Sequence, residues 1–296
     1  MHSLELPEIE KRLWLPENLG ECDKRQYLDA AKLVLMYQMG DVTLEQFRVL
    51  LLYSLLNMEF EESSFEHIQE EKWENIYLCS ELLNSFFRID DDGVMHLIQD
   101  YIHNPVKVVH YKLHSFHGPK DSFQNITYGQ LEDGVGEMNN FMKYGEFESL
   151  VKLFAIFYLK KTEKYSKVNI EKRITFFSQL DIRYVYGFYL LFISFFNYLT
   201  KECIIVLDGK ELDLRILFNA SENTQTTETS DEPESLGMRA TSFQLAESGV
   251  FGTLSELRES DAMMVLIRMY DLVLRNRKEE AEQKALEEKS KNQSHD

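Results

Sequence analysis

The sixteen residues 184–199, YVYGFYLLFISFFNYL, decide the fold. They form either a membrane span or a helix buried inside a protein. The apolar run ends at Lys201 and Glu202, short of the roughly 20 residues that cross a bilayer. Its Tyr, Ser and Asn side chains suit a protein interior, where each polar tip finds a partner. Residues 170–201 are therefore read as one long buried helix, and the chain as mainly α.

A buried helix of this kind needs a large partner surface, and the flanking sequence offers one. The stretch 147–160, FESLVKLFAIFYLK, places apolar residues at helical spacing, and with Gln130 answering Thr127 upstream it predicts helices over 128–144 and 146–161. The aromatic side chains here have two readings. They form an ordinary core, or part of them lines a groove for a partner helix or an oligomer interface. On the second reading the partner-binding residues are Phe147, Leu150, Phe154, Phe157, Tyr158, Phe188, Phe192, Phe195 and Phe196.

Towards the N-terminus, capping boxes mark helix starts. Each pairs a short polar side chain with Glu or Gln three residues on. Asp23 with Gln26 opens a helix to about Gln38, and Gly40 stops it. Thr43 with Gln46 opens the next, and Ser63 with Glu66 a third to about Ser85. These three predict an N-terminal helical layer. The opening residues 1–19, with Pro7 and Pro16, do not resemble a signal peptide.

The pattern changes at 86–98, FFRIDDDGVMHLI, where apolar runs flank Asp91-Asp92-Gly93 and predict a hairpin. An EF-hand loop is excluded: its carboxylates alternate, whereas Asp90, Asp91 and Asp92 are consecutive and Arg88 occupies the first ligand position. A small antiparallel β-element is expected over 86–116. Its end lies in 106–119, VKVVHYKLHSFHGP, which with His103 holds four of the eight histidines. On a helix, His110, His114 and His117 would share a face and could hold a metal. On a single strand His110 and His114 share a face about 13 Å apart and His117 points away. The valines and the closing Gly118-Pro119 favour the strand, and no metal or cofactor is expected.

Beyond the long helix, 203–218 carries Asp208-Gly209 between apolar runs and is read as a hairpin or a helix break. Residues 219–237 hold no aromatic residue, Lys or Arg and read as a disordered acidic linker. A short helix ending at Gly249 follows, then a helix capped by Thr253 and Glu256 through Leu274, and a charged tail over 276–296. The expected domains are a helical body over 1–218, the linker, a C-terminal helical unit over 238–275 and the tail.

The bulk numbers agree with a folded, protein-facing molecule. The 296 residues are 44% hydrophobic and 12% aromatic, with net charge −18. That charge disfavours nucleic acid, and no basic stripe offsets it. Cys22, Cys79 and Cys203 are odd in number and far apart, which fits a reducing interior. The Asn125-Ile126-Thr127 sequon reads as a helix cap, and Gly249–Gly252 as a helix stop and restart. The acidic run from Glu59 to Glu74 reads as a solvated helix face. Catalytic residues are not legible, and the chain is read as non-enzymatic.

Three stretches together resemble a group of tail-gene-associated proteins of bacteriophages and prophages of Bacteroidetes-type hosts. They are the Gly-Pro-x-Asp turn and Ile-Thr-Tyr-Gly-Gln helix start at 118–133, the helix pair joined through Arg173, and LAESGVFGTLSELRESDAMMVLIRMYDL at 245–272. The resemblance implies a tail assembly chaperone or tail-associated factor in the bacterial cytoplasm, with a tape-measure or other tail protein as partner and a possible homo-oligomer. It carries over no site residues. A virion structural protein of the neck or tail is the alternative. A metal-dependent enzyme using His110, His114 and His117 is the second.

Overall fold

A computed structural model describes residues 1–6, 10–58, 70–219, 238–247 and 249–293. The chain is mainly α with small β-elements. Among the described residues there are eleven α-helices and four two-stranded antiparallel sheets. Two units emerge, one built from Met1–Phe123 and Gly136–Phe195, the other from Gln124–Val135 and Phe196–Asp296. The sequence reading placed its boundary at 218. Of the expected linker, only Asn219 lies within the described residues.

In the first unit a hairpin of β1 (His2–Leu6) and β2 (Lys11–Leu15) comes first, with Leu4 opposite Leu13. Pro16 follows the last residue of β2, where no ladder hydrogen bond is lost. Helices α1 (Lys24–Gln38) and α2 (Leu44–Leu55) start at the expected capping boxes. The Gln26 amide donates to Asp23 at 2.8 Å and the Gln46 amide to Thr43 at 3.2 Å. Helix α3 (Glu70–Glu81) runs into a 3-10 turn at Leu82–Phe86, while the Ser63 cap lies outside the described residues.

The β-element is two hairpins. β3 (Phe87–Ile89) pairs with β4 (Met95–Leu97) around the expected aspartate turn, where Asp90 Oδ1 accepts from the Val94 amide at 2.7 Å. The segment 106–116, expected as one strand, folds back as β5 (Val108–Tyr111) and β6 (His114–His117). Lys112 takes a left-handed φ of 50° to make the turn. The pairing sets Val109 opposite Phe116, so both bury on one face.

Helices α4 (Tyr128–Tyr144), α5 (Phe147–Phe157), α6 (Lys167–Phe177) and α7 (Ile182–Lys201) follow. The single helix expected over 170–201 is thus two. At the break, Asp181 Oδ1 accepts from the Arg183 amide at 3.0 Å and caps the second. Arg173 on α6 joins α5, donating from Nε to the Ala155 carbonyl at 2.8 Å and pairing with Glu163. The core of this unit is aromatic and centres on Phe123, Phe154, Phe157, Phe177, Phe188 and Phe192.

In the second unit, Cys203–Phe218 resolves as a hairpin of β7 (Ile204–Leu207) and β8 (Lys210–Asp213), then a single-turn helix α8 (Ile216–Asn219). Helices α9 (Met238–Glu247), α10 (Leu254–Glu259) and α11 (Ala262–Gln293) complete it. Tyr128, Leu245, Leu257 and Val265 form a buried cluster. The helix expected from Thr253 through Leu274 breaks at Ser260–Asp261. There the chain lies against Ile126–Tyr128: the Tyr128 amide donates to the Ser260 carbonyl at 2.9 Å and the Ala262 amide to Ile126 at 3.1 Å.

Candidate interaction surface

Seven of the nine residues read as a partner groove are buried within the first unit: Leu150, Phe154, Phe157, Tyr158, Phe188, Phe192 and Phe195. Phe154 stacks on Tyr158 at 4.0 Å and Phe157 meets Phe192 at 5.1 Å. The residues that cover them, Phe123 and Phe177, come from elsewhere in the sequence. That face is the unit's own core, and the groove reading is corrected accordingly. Phe147 is exposed, and Phe196 is half-buried with its ring edge-on to Phe218 at 6.0 Å. Among the described residues no helix is long and apolar enough to cross a membrane.

The four histidines go to different partners. His103 Nδ1 lies 3.1 Å from Asp121, and His110 Nδ1 lies 2.9 Å from Ser115 Oγ. The His114 ring rests against Phe176 at 5.6 Å, and the His117 amide donates to the Leu159 carbonyl. Because the strand turns at Lys112, the face assignments change. His110 now shares a face with His117, and His114 lies on the other. Among the described residues no group of three or more His, Cys, Asp or Glu is placed to hold a metal ion.

Several buried polar groups elsewhere are matched to one another. Tyr27 donates to the Gly187 carbonyl at 2.7 Å and shares a 2.9 Å hydrogen bond with Tyr101. Ser194 accepts from the Tyr101 amide at 2.8 Å. In the second unit Arg258 pairs with buried Glu132 and, at 2.7 Å, with Asp133, while Ser242 donates to Glu132 at 2.8 Å. Such networks fix packing. Burial pushes the Cys22 thiol up to about 12 and raises Cys203, so neither is primed as a nucleophile.

The hairpin β7–β8 is different, because its apolar residues are left in water. Val206 is 70% exposed, and Ile204 and Leu207 are 45% exposed. The turn Asp208-Gly209 has φ of 50° and 75°, the left-handed pair of a two-residue hairpin turn. The Leu214 amide donates to the Cys203 carbonyl at 3.0 Å. By alternation, the hydrogen-bonded pairs beyond it are Ile205–Leu212 and Leu207–Lys210. Ile204 and Val206 therefore turn their amides and carbonyls away from β8. The sheet holds two strands, so no described strand pairs with this outer edge. The sequence showed the hairpin as one option at 203–218 but gave no sign that its apolar strand stays exposed.

Comparison with protein-family models, with curated proteins and with solved structures finds no match.

Proposed function

We propose that this chain is a non-enzymatic binding protein whose contact with its partner centres on hairpin β7–β8. The observation that supports this is the exposed apolar strand Ile204–Leu207 with an unpaired backbone edge. Proteins normally shorten, charge or cover such edges because another chain can pair with them. Here the edge carries two isoleucines, a valine and a leucine. The partner-helix groove expected from the aromatic residues is replaced in this reading by a strand edge.

The narrower role, a tail assembly chaperone or tail-associated factor, rests on the resemblance of 118–133, the Arg173 helix pair and 245–272. Co-expression with the product of a neighbouring tape-measure gene tests it. The reading predicts a complex that survives purification and is lost with Val206→Lys. No complex, or one indifferent to that substitution, contradicts it. Mass spectrometry of purified particles then separates a chaperone, absent from them, from a virion component.

A further inference from the structure

The geometry points to a mode of binding and a partner chemistry. The β7 edge takes an added strand with the pattern basic-x-apolar-x-apolar-x-basic, drawn from a different protein. This deepens the proposed function and rests on it.

The backbone supplies the first half of the inference. Ile204 and Val206 each turn an N–H and a C=O outward, so an antiparallel strand laid along the edge gains four hydrogen bonds. Their side chains lie on one face, where an added strand's alternate residues would cover them. Residues at these positions in the partner must be apolar.

Charge supplies the second half. Glu202 and Asp208, both exposed, bracket the strand. Across the hairpin, Glu211 lies opposite Val206 and Asp213 opposite Ile204, on the same face. Arg215 neutralises Asp213 through two contacts of 2.7 Å. Among the described residues Glu202, Asp208 and Glu211 have no ion-pair partner. Lys210 stands opposite Leu207, on the other face. The apolar centre thus has an acidic rim, and a strand with basic residues at its ends complements it.

The same rim argues against a second copy of this chain. Antiparallel self-pairing about Ile205 sets Ile204 opposite the copy's Val206. Glu202, in the turn before the strand, and Asp208, in the turn after it, then meet their acidic counterparts at both ends of the pair. Like charges gathered there oppose pairing, and each copy carries −18 in total.

The test uses the full chain and a fluorescent peptide, Lys-Thr-Val-Thr-Val-Thr-Lys, followed by anisotropy and by hydrogen exchange. Binding is expected, with the Ile204 and Val206 amides slowed. Replacing the peptide's lysines by glutamate should weaken it at least tenfold. Val206→Pro, which removes an outward N–H and no ladder bond to β8, should do the same, and Val206→Lys serves as a second variant that keeps the backbone intact. Absence of binding, or binding with these two amides unchanged, overturns the inference. So does a concentration-dependent dimer with both amides slowed before peptide is added, since the occupant is then a second copy. If the co-expressed complex forms while the peptide fails, the binding role survives and the strand-addition mode does not. If the peptide binds but no complex forms, the proposed role fails instead.

Discussion

Phe123 stacks face to face on Phe195, with ring centroids 4.1 Å apart and planes 14° apart. These two residues close the two sequence segments of the first unit, just before the chain passes into Gln124 and Phe196. Both are buried, and Phe157 and Phe192 pack around Phe123. Removing either ring leaves a cavity in a dense aromatic core. Phe195→Ala is expected to cost about 3–5 kcal/mol. In a double-mutant cycle with Phe123→Ala, a coupling of about 1 kcal/mol is expected from the stack itself. Urea unfolding of the four proteins measures both, and additive losses would show that the stack contributes nothing specific.

Immediately before the stack, Ser122 and Phe123 both have left-handed backbones, with φ of 55° and 54°. The Ser122 amide donates to the Ile102 carbonyl at 2.8 Å, which holds the turn in place. Glycine adopts this conformation without the Cβ penalty. Ser122→Gly should raise stability by about 0.5–1 kcal/mol, seen as a higher melting temperature. A lower one would mean that the serine side chain contributes more than the strain costs.

Arg258 neutralises Glu132, whose side chain is buried in the second unit. Arg258→Met keeps most of the volume and strands the carboxylate. A loss of about 3–5 kcal/mol is expected. Restoring most of it with Glu132→Gln in the same chain would show that the stranded charge is the cause. A double variant as weak as the single one would assign the loss to packing.

Asp181 donates no proton at neutral pH but accepts from Arg183, whose hydrogen bonds hold its carboxyl below the ordinary 3.8. A depressed carboxyl stabilises the fold above its unfolded pKa and ceases to do so as pH falls through the lowered value. Asp181→Asn should therefore be less stable than the parent at pH 7, by about 0.5 kcal/mol given its exposure to solvent. The difference should close as pH drops below the usual carboxylate range. Chemical denaturation at pH 7 and at acid pH tests this, and a gap that widens in acid would contradict it.

Local signals were legible in the sequence. Asp23–Gln26, Thr43–Gln46 and Thr253–Glu256 announced helix starts because a cap is a relation between residues three apart. The aspartate-rich turn at 90–93 was legible for a similar reason, and Asp208-Gly209 left a hairpin as one of two options. Features set by distant residues were not. The turn at Lys112-Leu113 lacks Gly or Asn and is driven by burial of Phe116 against Phe177. The helix break at Ser260 exists because residues 126–128 lie alongside it. The candidate site followed the same rule. Nothing local distinguishes Phe188, which is covered by Phe154 and Phe157, from Val206, which stays largely exposed.

The most direct test of the account is amide hydrogen exchange along β7 in the free protein at neutral pH. The Ile205 and Leu207 amides should be protected by β8, while Ile204 and Val206 exchange at close to the rate of an open chain. Strong protection at Ile204 and Val206 without any added partner would show that the edge is already occupied, and would contradict a binding role for this hairpin.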